Sequence, residues 1–215
     1  MDNNKLNLGA VLFNGFEQLD IFGPLEMFAL LNMLEKQVNI ITLGINKTPV
    51  KSNYGPSVSV DHTFEENMPI DILLIPGGIG TRTKINDEDL LHYLKQYAQS
   101  ASYVSTVCTG SALLAKTGLL DNLRATTNKL AFNWVTEQSP AVKWIPEARW
   151  VEDGKFFTSS GVSAGMDMSL GLIEKIFDRS ISLKVANYAE YKWNEDKTSD
   201  PFAKLTSLTS KKHLK

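Results

Sequence analysis

Apolar positions in this chain fall into short unbroken runs, separated by longer stretches in which they recur every three or four residues. Short runs bounded by turn signals read as buried strands, and the periodic stretches as amphipathic helices. Residues 8–13, 38–43 and 70–75 are such runs, and Pro76-Gly77-Gly78 stops the third abruptly. Between the first two, Gly23-Pro24 is expected to open a helix, since proline suits the first helical position. Leu25, Phe28, Ala29 and residues 31–34 give that helix its apolar face. Residues 49–64 alternate around Gly55-Pro56, which predicts a hairpin or a peripheral strand. Residues 87–100 form an amphipathic helical pattern. Residues 103–118 read as a buried strand, a turn at Cys108 and a short helix. Residues 124–127 suggest a short strand, and 129–137 a helix. Asp153-Gly154 between two apolar stretches is a strong hairpin signal. Two more helices are expected over 163–178 and 180–192.

Strands alternating with helices predict an α/β fold with a doubly wound, mostly parallel sheet and helices on both faces. In such folds the site lies at the carboxyl ends of the strands. Residues 14–20, 76–80 and 108 all follow expected strands, so all three can meet on one edge. From Asn194 the chain is polar, turns basic at its end and lacks a packing pattern. One domain over 1–193 with a tail over 194–215 is therefore expected.

Composition narrows the partners. The 215 residues suit one α/β domain, and a 43% hydrophobic fraction is enough for a sizeable core. A net charge of -2 gives no attraction to nucleic acid or to an anionic membrane. The first residues lack a signal-peptide pattern, and no apolar run approaches the ~18 residues needed to span a bilayer. A cytoplasmic location is the expectation. A single cysteine excludes an internal disulfide framework and a cysteine-rich metal site.

That cysteine is the leading chemical candidate. At a strand-to-helix turn, Cys108 sits near unsatisfied N–H groups and the positive end of a helix dipole, which predicts a lowered pKa and a nucleophilic thiolate. The alternative is a buried structural thiol. His62, His92 and His213 have no metal-ligand spacing, and none follows Cys108 directly. Asp20 is the better partner, either as an acid/base carboxylate or as a helix cap. Glu17 and Glu26 compete with it. Gly77-Gly78-Ile79-Gly80 lacks P-loop spacing. It serves either as a plain turn or as a source of Gly78 and Ile79 N–H groups facing an anion beside Cys108, with the Thr109 N–H completing the site. Residues 159–165 are a candidate pocket wall.

Several segments in order resemble the ThiJ/PfpI superfamily, which is related to class I glutamine amidotransferases. They are Gln18-Leu19-Asp20 with Gly23-Pro24, residues 71–78, Val107-Cys108-Thr109-Gly110-Ser111, residues 118–120, residues 124–127 and residues 160–167. The resemblance covers residues 8 to about 192. It implies a flavodoxin-like sandwich with Cys108 on a strained nucleophile elbow. Protease-like members carry histidine where this chain has Thr109, and chaperone- and deglycase-like members carry glutamate where it has Asp20. The pattern is most similar to isonitrile hydratases. The same signature occurs in domains of some transcription regulators that continue into a helix-turn-helix module, for which the residues up to Lys215 leave no room. Many relatives have His-Trp where this chain has Asn128-Lys129.

The resemblance implies a homodimer and a small-molecule substrate, with no cofactor or metal. Cys108 would attack an isonitrile to give a thioimidate, Asp20 would move protons, and Thr109, Gly78 and Ile79 would hold the reacting group. The competing expectations are a redox-sensing or stress-response thiol, a binding module without chemistry, and an amidase or deglycase.

Overall fold

A computed structural model describes residues 5–34 and 38–206. The chain runs β1 (Leu6–Val11), α1 (Gln18–Ala29), β2 (Val38–Gly44), β3 (Val50–Lys51), β4 (Ser57–Val58) and β5 (His62–Thr63). It continues through β6 (Ile72–Ile75), α2 (Thr81–Lys84), α3 (Glu88–Ser100), β7 (Tyr103–Thr106) and α4 (Gly110–Lys116). Then follow β8 (Arg124–Ala125), α5 (Phe132–Gln138), β9 (Lys143–Trp144), β10 (Trp150–Asp153), β11 (Phe156–Ser159), α6 (Ala164–Ile176) and α7 (Arg179–Tyr188).

The main sheet has seven strands in the order β10-β11-β7-β6-β1-β2-β5, parallel except for the β10–β11 pair. That antiparallel pair is the hairpin expected at Asp153-Gly154. The hairpin expected over 49–64 is β3 with β4, and β5 continues from it to the sheet edge. All four residues of β6 are buried, as a central parallel strand covered on both faces requires. Helices α1, α6 and α7 pack together, and α2, α3 and α5 pack around α4. In α3, Asp87 caps the first turn by accepting the Leu90 N–H at 3.0 Å. Leu90, Leu94, Tyr97 and Ala98 then form its single buried face. Among the described residues no helix is long and apolar enough to cross a membrane.

Strand order reverses direction at β1: β2 lies on one side of it and β6 on the other. A crevice opens at such a switch point beyond the carboxyl ends of the strands. The loops after β1, β6 and β7 therefore meet, as the sequence predicts.

Two expectations need correction. The first helix does not begin at Pro24; it begins at Gln18, and Pro24 lies inside it. The start is fixed by the preceding loop, where the Glu17 N–H donates to the Gly77 carbonyl at 2.9 Å and the Gly15 N–H to the Lys51 carbonyl at 2.8 Å. Gly23 and Pro24 are instead packing positions against α6, close to Met166 and Gly165 respectively. The second correction concerns the segment from Asn194. Its basic end and His213 lie outside the described residues, but the mostly exposed segment 194–206 is anchored to the domain at Asn194, Lys197 and Asp200. The Asn194 N–H donates to Asp167 Oδ1 at 2.9 Å, the Lys197 carbonyl accepts the Arg149 N–H at 2.9 Å, and Asp200 is buried.

Asp200 joins a buried ionic cluster. The Arg149 guanidinium holds Asp167 at 2.9 Å and lies 3.6 Å from Asp200, while the Lys129 ammonium lies 3.9 Å from Asp200. The Tyr191 hydroxyl donates to Asp167 at 3.0 Å. Asp167→Ala removes the acceptor shared by Arg149, Tyr191 and Asn194 and leaves the guanidinium without its closest countercharge. The expected loss is about 3–5 kcal/mol. Urea unfolding of the variant checks this; a loss below about 1 kcal/mol would mean the cluster behaves like a surface pair.

Candidate active site

Cys108 follows β7 by two residues and has φ 57, the left-handed region that a residue with a Cβ rarely occupies. Three hydrogen bonds hold it there. Its N–H donates to the Ser160 carbonyl at 3.0 Å, and its carbonyl accepts the Thr127 hydroxyl at 2.9 Å and the Ser111 hydroxyl at 3.0 Å. The turn needs room on both sides. A Cβ on Gly110 would stand 2.4 Å from the Ile75 carbonyl oxygen, and one on Gly77 2.6 Å from the Thr109 nitrogen. Both glycines thus let β6 and the elbow approach closely. Sustained positive φ at a non-glycine residue marks stored strain of the kind found at functional sites.

Asp20 lies in the first turn of α1 and is fully buried. It does not cap that helix. Its Oδ2 accepts the Gly77 N–H at 2.9 Å, which ties the loop after β1 to the loop after β6. Oδ1 is buried with no hydrogen-bond partner of good geometry among the described residues. Burial pushes the carboxyl up to about 7; the Gly77 N–H pulls it down, nearby Glu17 adds to the rise, and the Cys108 thiol, within side-chain hydrogen-bonding range, pulls it down again. Glu17 itself accepts from the Asn53 amide at 3.3 Å, and Glu26 is exposed.

The thiol differs from the sequence expectation. Burial pushes its pKa well above the usual thiol range, and the Asp20 carboxylate adds to the rise. The N–H and hydroxyl of Thr109 and the N–H of Val162 act the other way without prevailing. The helix after the elbow is only seven residues long, and Cys108 is 7% exposed, so desolvation outweighs the dipole. Cys108 is therefore a buried neutral thiol at rest, beside a carboxyl that loses its proton near pH 7, rather than a preformed thiolate.

Thr109 is a structural hub. Its Oγ1 accepts the Gly78 N–H at 3.1 Å and the Thr81 hydroxyl at 3.0 Å. The Gly78 N–H expected to face the sulfur is thus turned to Thr109, and the Ile79 side chain is exposed. The N–H groups next to the sulfur are those of Thr109 and Val162. Val162 was not singled out by the sequence reading. It has φ 45, severe for a β-branched residue, and only the folded chain reveals that. Within the glycine-containing loop over 159–165 the sequence carried no signal for which residue bears the strain.

Asn128 lies against Gly161: its amide nitrogen is 2.5 Å from where a Cβ on that glycine would stand. Lys129 points into the ionic cluster, donating to Thr126 Oγ1 at 2.9 Å and the Ala148 carbonyl at 2.7 Å. His62 pairs with Glu66 at 2.6 Å on β5, at the far edge from β7, and His92 packs against the Tyr93 ring on α3. A cavity of about 490 Å³ beside Trp150, Phe157 and Trp193, and one of about 290 Å³ beside Phe13, Asn14 and Pro49, are lined by neither Cys108 nor Asp20. Cys108 is 7% exposed and Asp20 fully buried.

A strained cysteine thus stands between β7 and α4, on a parallel sheet whose loops meet beside a buried aspartate. The chain belongs to the DJ-1/PfpI family, whose model matches residues 10–175. Among characterised relatives it is similar to the isonitrile hydratase of Pseudomonas putida, at 34% identity over 188 residues, 86% of this chain and 78% of that one. It is also 25% identical over 192 residues to the HTH-type transcriptional regulator GbdR of Pseudomonas aeruginosa, covering 88% of this chain but only 52% of the regulator. Among solved structures, a ThiJ/PfpI family protein from Pseudomonas syringae superimposes with a TM-score of 0.81 at 25% identity, covering 96% of this chain and 86% of that one.

Proposed function

We propose that this protein hydrates isonitriles, converting R–N≡C and water to R–NH–CHO, with Cys108 as nucleophile and Asp20 as acid and base. The observation that carries the reading is the pair itself: a buried carboxyl with a pKa near 7 within hydrogen-bonding range of a thiol that needs a base. The relative from Pseudomonas putida supports the substrate class. So does the low exposure of Cys108, 7%, because an isonitrile presents its terminal carbon at the tip of a slim linear rod.

The steps follow from the proton positions. The Asp20 carboxylate takes the thiol proton as sulfur bonds to the terminal carbon, and delivers it to that carbon. The product is the thioimidate R–N=CH–S–Cys108. Water then adds to the same carbon; Asp20 takes its proton and passes one to nitrogen. Collapse of R–NH–CH(OH)–S–Cys108 breaks the C–S bond, releases the formamide and returns the hydroxyl proton to sulfur through Asp20. Atoms balance without a cofactor. The Thr109 and Val162 N–H groups stabilise charge on sulfur during attack and departure. Gly78 acts through Thr109, and Ile79 follows it in the same loop. A homodimer in the cytoplasm is part of the same reading.

Purified protein incubated with an aliphatic and an aromatic isonitrile is expected to yield the two formamides, followed by chromatography. Absence of both products counts against the reading. The pH dependence is a second check. Attack needs Asp20 ionised in the free protein, so kcat/KM rises with pH through about 7 and then levels off, with no early fall from thiol ionisation. A profile flat between about pH 5.5 and 8.5 would contradict a base of this kind.

A redox-sensing role is less well supported, because an oxidation-prone thiol is exposed and of low pKa, and Cys108 is neither.

A further inference from the structure

The chain has four arginines, and three of them hold carboxylates: Arg124 with Asp153, Arg149 with Asp167 and Arg179 with Glu195. Arg82 does not. Its guanidinium makes no hydrogen bond or ion pair to any described residue, yet it is partly buried. Its guanidinium carbon lies over the indole of Trp134, 3.4 Å from the ring centroid. Stacking of this kind fixes the plane of the guanidinium and leaves its N–H edges free.

The location ties this group to the site. Arg82 is on α2, directly after Thr81, whose hydroxyl is 3.0 Å from Thr109 Oγ1 beside Cys108. Trp134 comes from α5, and both short helices pack on α4, the helix that follows the elbow. Negative charge on Cys108 reaches Arg82 electrostatically, which agrees with that placement. A fork of donors with no partner among the described residues, one residue along the chain from a contact of Thr109, suits a planar bidentate anion such as a carboxylate.

We infer that Arg82, held by Trp134, is the specificity-determining residue for a carboxylate on the substrate, so that the preferred substrates are anionic electrophiles rather than neutral ones. This rests on the proposed role of Cys108 as nucleophile, and it deepens the reading to isonitriles bearing a carboxylate close to the reacting end. The Trp134 face bounds the same subsite on its apolar side.

The test exploits the single cysteine. Alkylation of Cys108 by iodoacetate and by iodoacetamide is followed by mass spectrometry, and the ratio of the two rates is divided by the same ratio for a free thiol. In each reaction sulfur bonds to the methylene carbon and iodide leaves, so only the added charge differs. The wild type is expected to favour iodoacetate. Arg82→Met lowers the normalised ratio about tenfold, the scale of a charge-assisted hydrogen bond, and Arg82→Lys, which keeps the charge but not the stacked fork, retains only part of it. A ratio unchanged in Arg82→Met, or two rates that fall together, overturns the inference.

Turnover of isocyanoacetate and of its methyl ester runs in parallel. If neither gives a formamide while Arg82→Met still lowers the alkylation ratio, the hydratase reading fails and the anion subsite stands. If both are hydrated equally well and the ratio does not respond, the subsite fails and the hydratase stands.

Discussion

Cys108→Ala is expected to reduce formamide production by about 10⁴-fold or more, the scale on which a lost covalent nucleophile registers. The folded protein is expected to survive the change. Alanine carries the same Cβ into the strained φ of 57, so no new backbone cost arises, and only one buried sulfur is removed. Cys108→Ser is expected to be nearly as inactive. A serine hydroxyl is a far weaker acid than a thiol, and a carboxylate with a pKa near 7 already has difficulty taking a proton from this buried sulfur. Chromatography of the formamide, with a thermal melt of each variant, checks both. Turnover within tenfold of wild type in a folded Cys108→Ala protein would remove the covalent step from the mechanism.

The raised thiol pKa changes what kind of nucleophile this is. A cysteine with its proton already lost attacks without help and is prone to oxidation. A buried thiol that surrenders its proton to Asp20 only as the new bond forms stays neutral at rest. That behaviour suits addition to an isonitrile, because the same proton is required on the terminal carbon. The strain at Val162 belongs to this design: holding a β-branched residue at φ 45 brings its N–H to the sulfur.

Much of the fold was legible because strand runs and turn residues are local signals. The apolar run before Pro76, the capped helix after Asp87 and the Asp153-Gly154 hairpin each depend on neighbours within a few residues. Pro24 misled because a proline inside a helix and one that opens a helix look alike until the loop before it is known. The anchoring of residues 194–206 through Asp200 was invisible for another reason. Asp200 is buried by virtue of Arg149 and Lys129, both distant in sequence, and a lone aspartate in a polar stretch gives no sign of that. At the site, the juxtaposition of Asp20 with Cys108 followed from strand order. The direction of the thiol pKa did not, since it depends on burial accumulated from the whole molecule. The orientation of the Gly78 N–H likewise depends on the Thr109 rotamer. That Arg82 has no partner among the described residues depends on every side chain around it, so no local pattern announces it.

Asp20→Asn is expected to lower kcat/KM by about 10³-fold or more, the upper part of the range for general acid–base groups, while the protein stays folded. The two effects separate because of the sign of the Asp20 shift. Its folded pKa of about 7 lies above the ordinary aspartate value, so the native state keeps a proton that the unfolded chain has lost. Stability therefore falls as pH rises from about 4 to about 7, and the penalty of the buried charge is fully present above 7. Asparagine carries no charge and can still accept the Gly77 N–H with its amide oxygen. At pH 8 the variant is thus expected to melt no lower than wild type, and at pH 4 the advantage disappears. Its amide can neither take the thiol proton nor return one to nitrogen, so alkylation of Cys108 and hydration of an isonitrile should both slow. The pH step near 7 in kcat/KM should vanish with the carboxyl. Melting curves at the two pH values, set beside the rate profile, distinguish this from a structural role: a variant that is inactive but also strongly destabilised at pH 8 would make Asp20 a tether between two loops rather than the acid and base.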